Sequence, residues 1–176
     1  MEPVIGRAFR ATRWLENALV LLLPQLIGCY PDGMSPMSVA EKPISAIIGR
    51  RISTGDGIHM VANRYRKGVR LDTHLHREAQ LVYAAEGTMQ VTTPKGRWLV
   101  PPDRAVWVPA RLGHSIDVLA DIDMRTLYFD VRWLAQEQRS ANLDAEFVVR
   151  VSRLLHEAIL ALFDGQIGRA SCRERV

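Results

Sequence analysis

The chain predicts an all-β fold, a sandwich or barrel, followed by a single amphipathic helix. Two observations carry this. Between Ile44 and Val131, short runs of β-branched, aromatic and alternating residues recur at close, regular spacing, separated by turn-forming Gly, Pro and Asp. From Ser152 the period changes, and Leu154, Leu155, Ala158, Ile159 and Leu162 form the stripe of a helix. At 176 residues, 48% hydrophobic and 24% charged, the chain is long enough for one domain with a substantial core.

In order, Ile44–Ile52 and Ile58–Arg66 read as strands, with Thr54-Gly55-Asp56-Gly57 as the turn between them. Leu71–His76 and Ala79–Ala85 follow, bracketed by Gly68 and Gly87; the second is apolar enough to be buried on both sides. Thr88–Thr93 and Arg97–Val100 flank Pro94-Lys95-Gly96, a hairpin connection. Ala105–Val108, Ser115–Leu119 and Met124–Val131 are separated by Arg111-Leu112-Gly113 and Asp121-Ile122-Asp123. Arg132–Asn142 is polar and reads as a connecting segment. Ser152 is placed to cap the helix and Gly165 to stop it.

The ends are read apart from this body. Arg7, Arg10 and Arg13 precede an apolar run ending at Cys29, a pattern similar to a bacterial lipoprotein signal. Glu16 and Pro24 speak against it, and translation from Met34 or Met37 is the other reading, so residues 1–33 are expected to be a non-native extension or a signal-like segment. Residues 167–176 look like translated sequencing-adapter sequence and are expected to be an artefactual tail. The formal net charge is +4. Because 167–176 holds three Arg against one Glu and 1–33 is balanced, residues 34–166 carry only +2, dispersed except for Arg64, Arg66, Lys67 and Arg70. That excludes nucleic-acid binding by this segment as the expectation. Cys29 and Cys172 lack metal-ligand spacing, which leaves a reduced cytoplasmic compartment as the default and no membrane role.

His74 and His76 stand two apart, so on an extended strand both imidazoles point to one face. The spacing of Gly68, His74, His76, Gln80 and Gly87 resembles the first cupin motif, with Gln80 where metal-binding cupins carry Glu. Pro109 and His114 keep the spacing of the second cupin motif, while Arg111 stands in place of a Gly and Val118 in place of an Asn. A closer resemblance covers about Ile44 to Asp164. The phrases Thr73–Ala84, Gly96–Ala110 and Met124–Tyr128 are similar to the N-terminal effector domain of AraC-type transcription regulators, and Ser152–Ile159 to the helix that follows it.

That resemblance implies a cupin-like (jelly-roll) β-barrel over 44–131 that binds a small-molecule effector. It also implies a connecting segment and helix over 132–165 with a role in homodimerisation. DNA would be bound only through a C-terminal pair of helix-turn-helix units that this chain does not contain. The expected effector-binding residues are His74, His76, Gln80, Tyr83, Trp98, Trp107 and His114. No catalytic residue, cofactor or metal is expected. The competing reading is a free-standing metal-dependent cupin enzyme, a dioxygenase or isomerase, with His74, His76 and His114 as ligands beside Glu78 or Gln80. Tyr65 and Tyr128 are further aromatics of the barrel, and Arg97 and Arg104 read as solvated, with the orienting of an acidic effector as their other reading. The stripe of Arg153–Phe163 suits either the barrel's own flank or self-association, and His156 is expected at a surface or interface. Ser115 directly follows His114, so the two point to opposite faces of a strand and form no dyad.

Overall fold

The computed structural model describes residues 50–53, 57–137 and 143–164, together with Arg13 and Asn17. The readings of 1–33, both cysteines, residues 44–49, Gly165 and the tail lie outside the described residues. The elements are β1 Arg50–Ser53, β2 Ile58–Tyr65, β3 Arg70–His74, β4 Ala79–Glu86, β5 Met89–Thr93, β6 Gly96–Val100, β7 Arg104–Val108, β8 His114–Val118, β9 Ile122–Phe129, α1 Val131–Glu137, β10 Phe147–Arg150 and α2 Arg153–Asp164.

The strands form two antiparallel sheets, ordered β1-β2-β9-β4-β7-β10 and β3-β8-β5-β6. The pairing is nested: β5 with β6, β4 with β7, β3 with β8, and β2 with β9. Eight strands folded back in this way, with pairs alternating between sheets, make a jelly roll. β1 and β10 extend the two edges of the larger sheet.

β4 explains why two layers are needed on its sheet. Its first six residues are all buried, so both of its faces are covered. On the outer face Leu81, Tyr83, Trp107, Leu127 and Phe129 pack against Leu155, Ala158, Ile159, Leu162 and Phe163 of α2. On the inner face Val82, Ala84, Val106 and Met124 meet Met89, Val91, Ile116 and Val118 of the smaller sheet. Full burial of one such Leu or Ile side chain stabilises by roughly 1.5–3 kcal/mol. The helix stripe therefore covers the barrel's own flank. Leu154, expected in that stripe, is 58% exposed, and Phe163 takes part instead.

Local signals account for the ends of the elements. Ser152 Oγ accepts from Leu155 N–H at 3.1 Å, the expected helix cap. Gly87 has φ +78°, and a Cβ there would sit 2.0 Å from Asp121 O, so the turn after β4 tolerates only glycine. Arg132–Asn142, read as connecting chain, instead contains α1. Asp130 Oδ1 caps it by accepting from Arg132 N–H at 2.7 Å and Trp133 N–H at 3.4 Å. β9 starts at Ile122, two residues before the expected strand, and ends at Phe129 because Asp130 opens the helix. β10 was not foreseen; it returns Phe147–Arg150 to the larger sheet, beyond the expected barrel boundary at 131.

Candidate functional site

A cavity of about 800 Å³ opens between the two sheets. On the larger sheet its wall is built in tiers set by strand register. His59 and Gln80 both pair with Tyr128, Val61 and Val82 both pair with Thr126, and Asn63 and Ala84 both pair with Met124. Successive tiers lie two residues apart along each strand, roughly 7 Å. Each tier is a polar or aliphatic row on one side of the pleat, which is why alternate residues of β2, β4 and β9 line the space.

The first tier faces three histidines. His74 ends β3 and pairs across to His114, which begins β8, while His76 lies just past the end of β3. Ring centroids are 4.4 Å apart for His74–His114, 5.0 Å for His74–His76 and 5.8 Å for His76–His114. One ring nitrogen from each lies within 4.8 Å of the others. His76 also meets Tyr128 edge-on at 5.3 Å, and Tyr128 stacks on His59 at 4.5 Å.

Two of these rings have their tautomer set by the backbone. His74 Nδ1 donates to Asp72 O at 2.6 Å and His114 Nδ1 to Leu112 O at 3.2 Å; a carbonyl can only accept, so Nδ1 holds a proton in each, and in the neutral ring Nε2 is the acceptor. Burial pushes His114 down to about 4, with His74 and His76 adding to the fall against the Leu112 carbonyl. Burial also lowers His76, assisted by His74 and opposed by Glu78. At neutral pH His114 is thus an uncharged imidazole.

The loop geometry that holds His76 depends on Arg111. Its N–H donates to His76 O at 2.7 Å, and its φ is 61°. This is the position where the cupin motif has Gly, and the chain retains the left-handed turn without one. An L-residue there costs roughly 1–2 kcal/mol.

Deeper in the wall two buried polar atoms have no partner. Gln80 Oε1 and Thr126 Oγ1 belong to residues each 2% exposed, and both line the cavity. Buried polar atoms in native proteins are normally satisfied, and one left alone costs about 1–3 kcal/mol. At the far end Tyr65 is raised by burial and bonded to the Asn63 side chain.

Of the expected effector-binding residues, His74, His76, Gln80 and His114 come together here, with Glu78 beside them. Tyr83, Trp98 and Trp107 do not. Tyr83 follows Gln80 and Val82 in the wrong parity and points to the outer face of the sheet. Its hydroxyl donates to Pro102 O at 2.9 Å and accepts from His156 Nδ1 at 2.7 Å, and burial with the nearby Asp103 charge pushes it up to about 12. His156 is accordingly an anchor of α2 on the barrel. Trp107 lies in the outer core, its indole N–H bonded to Leu143 O at 2.9 Å. Trp98 sits on β6, bonded to Thr93 Oγ1 at 3.2 Å. Arg97 and Arg104 are exposed, as expected. Sequence reasoning missed His59, Asn63 and Thr126, although polar residues at every second position of a buried strand are a readable signal.

For a metal, the fit is partial. Three imidazoles with nitrogen lone pairs suit a borderline divalent cation, and the backbone carbonyls on Nδ1 are the supports such ligands need. Glu78 lines the cavity but falls outside the cluster of converging ligand atoms, and Gln80 supplies no charge.

A jelly roll that encloses a polar-walled cavity of this size defines a small-molecule-binding domain. Residues 58–175 match the AraC-like ligand binding domain family, and the chain belongs to it. It is similar to the HTH-type transcriptional regulator NimR of Escherichia coli (strain K12), 32% identical over 89 residues. The match covers 51% of this chain and 30% of that protein, so the chain spans less than a third of the curated relative. Among solved structures, it resembles oxalate decarboxylase of Bacillus subtilis at 24% identity and TM-score 0.42, over 47% of this chain and 25% of that one. It also resembles a cupin superfamily protein of Desulfitobacterium hafniense DCB-2 at 15% identity and TM-score 0.44, over 52% and 84%. Among the described residues, no helix is long and apolar enough to cross a membrane.

Proposed function

We propose that this domain is the small-molecule sensor of a transcription regulator, with the cavity at the histidine cluster as its effector site. The observation that carries the proposal is the pair of buried, unpartnered atoms, Gln80 Oε1 and Thr126 Oγ1, on the wall of an 800 Å³ cavity in a member of a ligand-binding family. In this reading a bound effector, met by a turn of these two side chains toward the cavity, supplies the partners that the protein withholds. DNA contact, by analogy with NimR, belongs to a helix-turn-helix unit elsewhere in the whole protein, working in the cytoplasm.

Transmission is built into β4. Gln80 and Val82 face the cavity, while Tyr83 faces outward and is bonded to His156 of α2. An effector that favours one setting of β4 over another shifts the population of α2 positions by its difference in affinity for the two. Homodimerisation through this half belongs to the same proposal. It would use surfaces other than the α2 stripe that packs on the barrel.

The test is a thermal-shift screen of small polar and aromatic metabolites. A compound at ~100 times its dissociation constant should add about 2.7 kcal/mol. His76→Ala should remove that gain and leave the domain folded. A variant that binds as well as the parent puts the ligand elsewhere and ends the assignment.

A second reading, a metal-dependent enzyme, is favoured by one observation, the convergence of His74, His76 and His114. These three would hold the ion, which would act as a Lewis acid toward a bound oxygen ligand. Stoichiometric metal in chelator-free preparations, lost in His74→Ala, would select this reading.

A further inference from the structure

We infer that the cavity selects its ligand by what the ligand donates: a small molecule presenting N–H or O–H groups, amidinium or ammonium included, to the histidine end, and not a carboxylate. The inference rests on the ligand-binding reading above and names the chemical class of the ligand.

The histidine end is a surface of acceptors. His74 and His114 spend their Nδ1 protons on backbone carbonyls, so each offers Nε2 as an acceptor in a cluster whose ring nitrogens approach within 4.8 Å. A ligand with more than one N–H or O–H group can donate to these acceptors together. Gln80, in the tier of Tyr128 that faces the histidines, has an amide oxygen buried without a donor, which a ligand reaches when the side chain turns toward the cavity. Glu78 lines the same end, acts on His76, and has no ion-pair partner among the described residues. A carboxylate entering here would meet acceptors and a like charge.

The cation of the cavity lies elsewhere and is already engaged. Arg70 is on β3, with Asp117 at 3.5 Å and Asp72 at 4.0 Å. It offers no counter-charge to an anion at the histidines. Between the ends, Val61, Val82 and Ile116 give an apolar belt one tier deep, suited to the flat face of a ring, with Thr126 in the same tier.

Three probes of one shape separate the possibilities: benzamidine (a donor cation), benzamide (donor and acceptor) and benzoate (an acceptor anion). They are titrated into the whole chain, labelled with ¹⁵N at histidine, at neutral pH with chelator present. In the unliganded protein the ring shifts should report Nδ1–H with a bare Nε2 for His74 and His114. Benzamidine should perturb both rings and bind at least ~10-fold tighter than benzoate, with benzamide between them. Glu78→Gln should weaken benzamidine ~3–10-fold and leave benzamide unchanged.

Benzoate binding as tightly as benzamidine, on the same rings, overturns the donor assignment and leaves the ligand-binding reading standing. An Nε2–H tautomer at either ring overturns it as well. So does silence of all three probes at millimolar concentration. Failure of the metabolite screen with His76→Ala, by contrast, removes the ligand-binding reading itself. Binding of benzoate that appears only when zinc replaces the chelator selects the metal site.

Discussion

The two faces of the larger sheet are made by the same strands and treat polar groups in opposite ways. On the outer face, under α2, the Tyr83 hydroxyl and the Trp107 indole are fully partnered, and Leu155 and Ile159 are entirely buried. Arg125 Nε is the exception there, on a guanidinium that otherwise bonds Asp123 and lies 5.2 Å over the Phe163 ring. On the inner face, Gln80 and Thr126 are just as buried and have atoms without partners. Parity along β4 and β9 divides the two: one side chain outward into the packed core, the next inward to the cavity.

Trp107→Ala should give the largest effect. It empties the outer core and strands the Leu143 carbonyl, a loss of about 3–5 kcal/mol in a denaturant titration. A loss near zero would mean that the outer face is not the stabilising one. Gly87→Ala should follow, at roughly 1–3 kcal/mol or more, since the new Cβ meets Asp121 O in a left-handed turn; equal melting temperatures would contradict this.

The third expected effect is one of pH. His114 has a folded-state pKa of about 4 against an ordinary 6.5, so between these values the unfolded chain binds more protons than the native one. Its contribution to stability is present above about 6.5, declines as pH falls toward about 4, and is constant below that. Melting curves across this range should slope less in His114→Gln than in the parent.

Thr126→Val is the smallest and the most pointed. It replaces an unpartnered buried hydroxyl by a methyl group of similar shape, so stability should stay level or rise by up to ~1 kcal/mol. Effector affinity should fall in the same variant. A destabilised protein with unchanged binding would erase the contrast between the two faces.

Much of this was legible in the chain. The strand series, the Ser152 cap and the shared face of His74 and His76 follow from local spacing, because strand period and turn residues act over a few positions. His114 joins them only by the resemblance to the second cupin motif, since the pairing of β3 with β8 is long-range. Tyr83 and Trp107, on the larger sheet, were misplaced for a physical reason. β4 is apolar on both sides, so alternation cannot say which side is packed and which is hollow; that depends on α2 arriving 70 residues later. β10 has only four residues and owes its strand form to pairing with β7. α1 was readable in principle, since Asp130 stands as a cap before Val131, but Val131–Glu137 spans only about two turns, too short for a helical stripe to show.

The nested pairing also dictates when the site comes into being. His59 is among the first described residues of the barrel and its stacking partner Tyr128 is on the last strand of the roll; His74 waits likewise for His114. A chain emerging from the ribosome carries every early half of the cavity long before any late half, and such distant pairings form slowly. Ligand recognition is therefore a property of the finished barrel alone. In the sensor proposed above, only molecules whose synthesis has passed β9 would read the effector, a delay between translation and response set by the strand order.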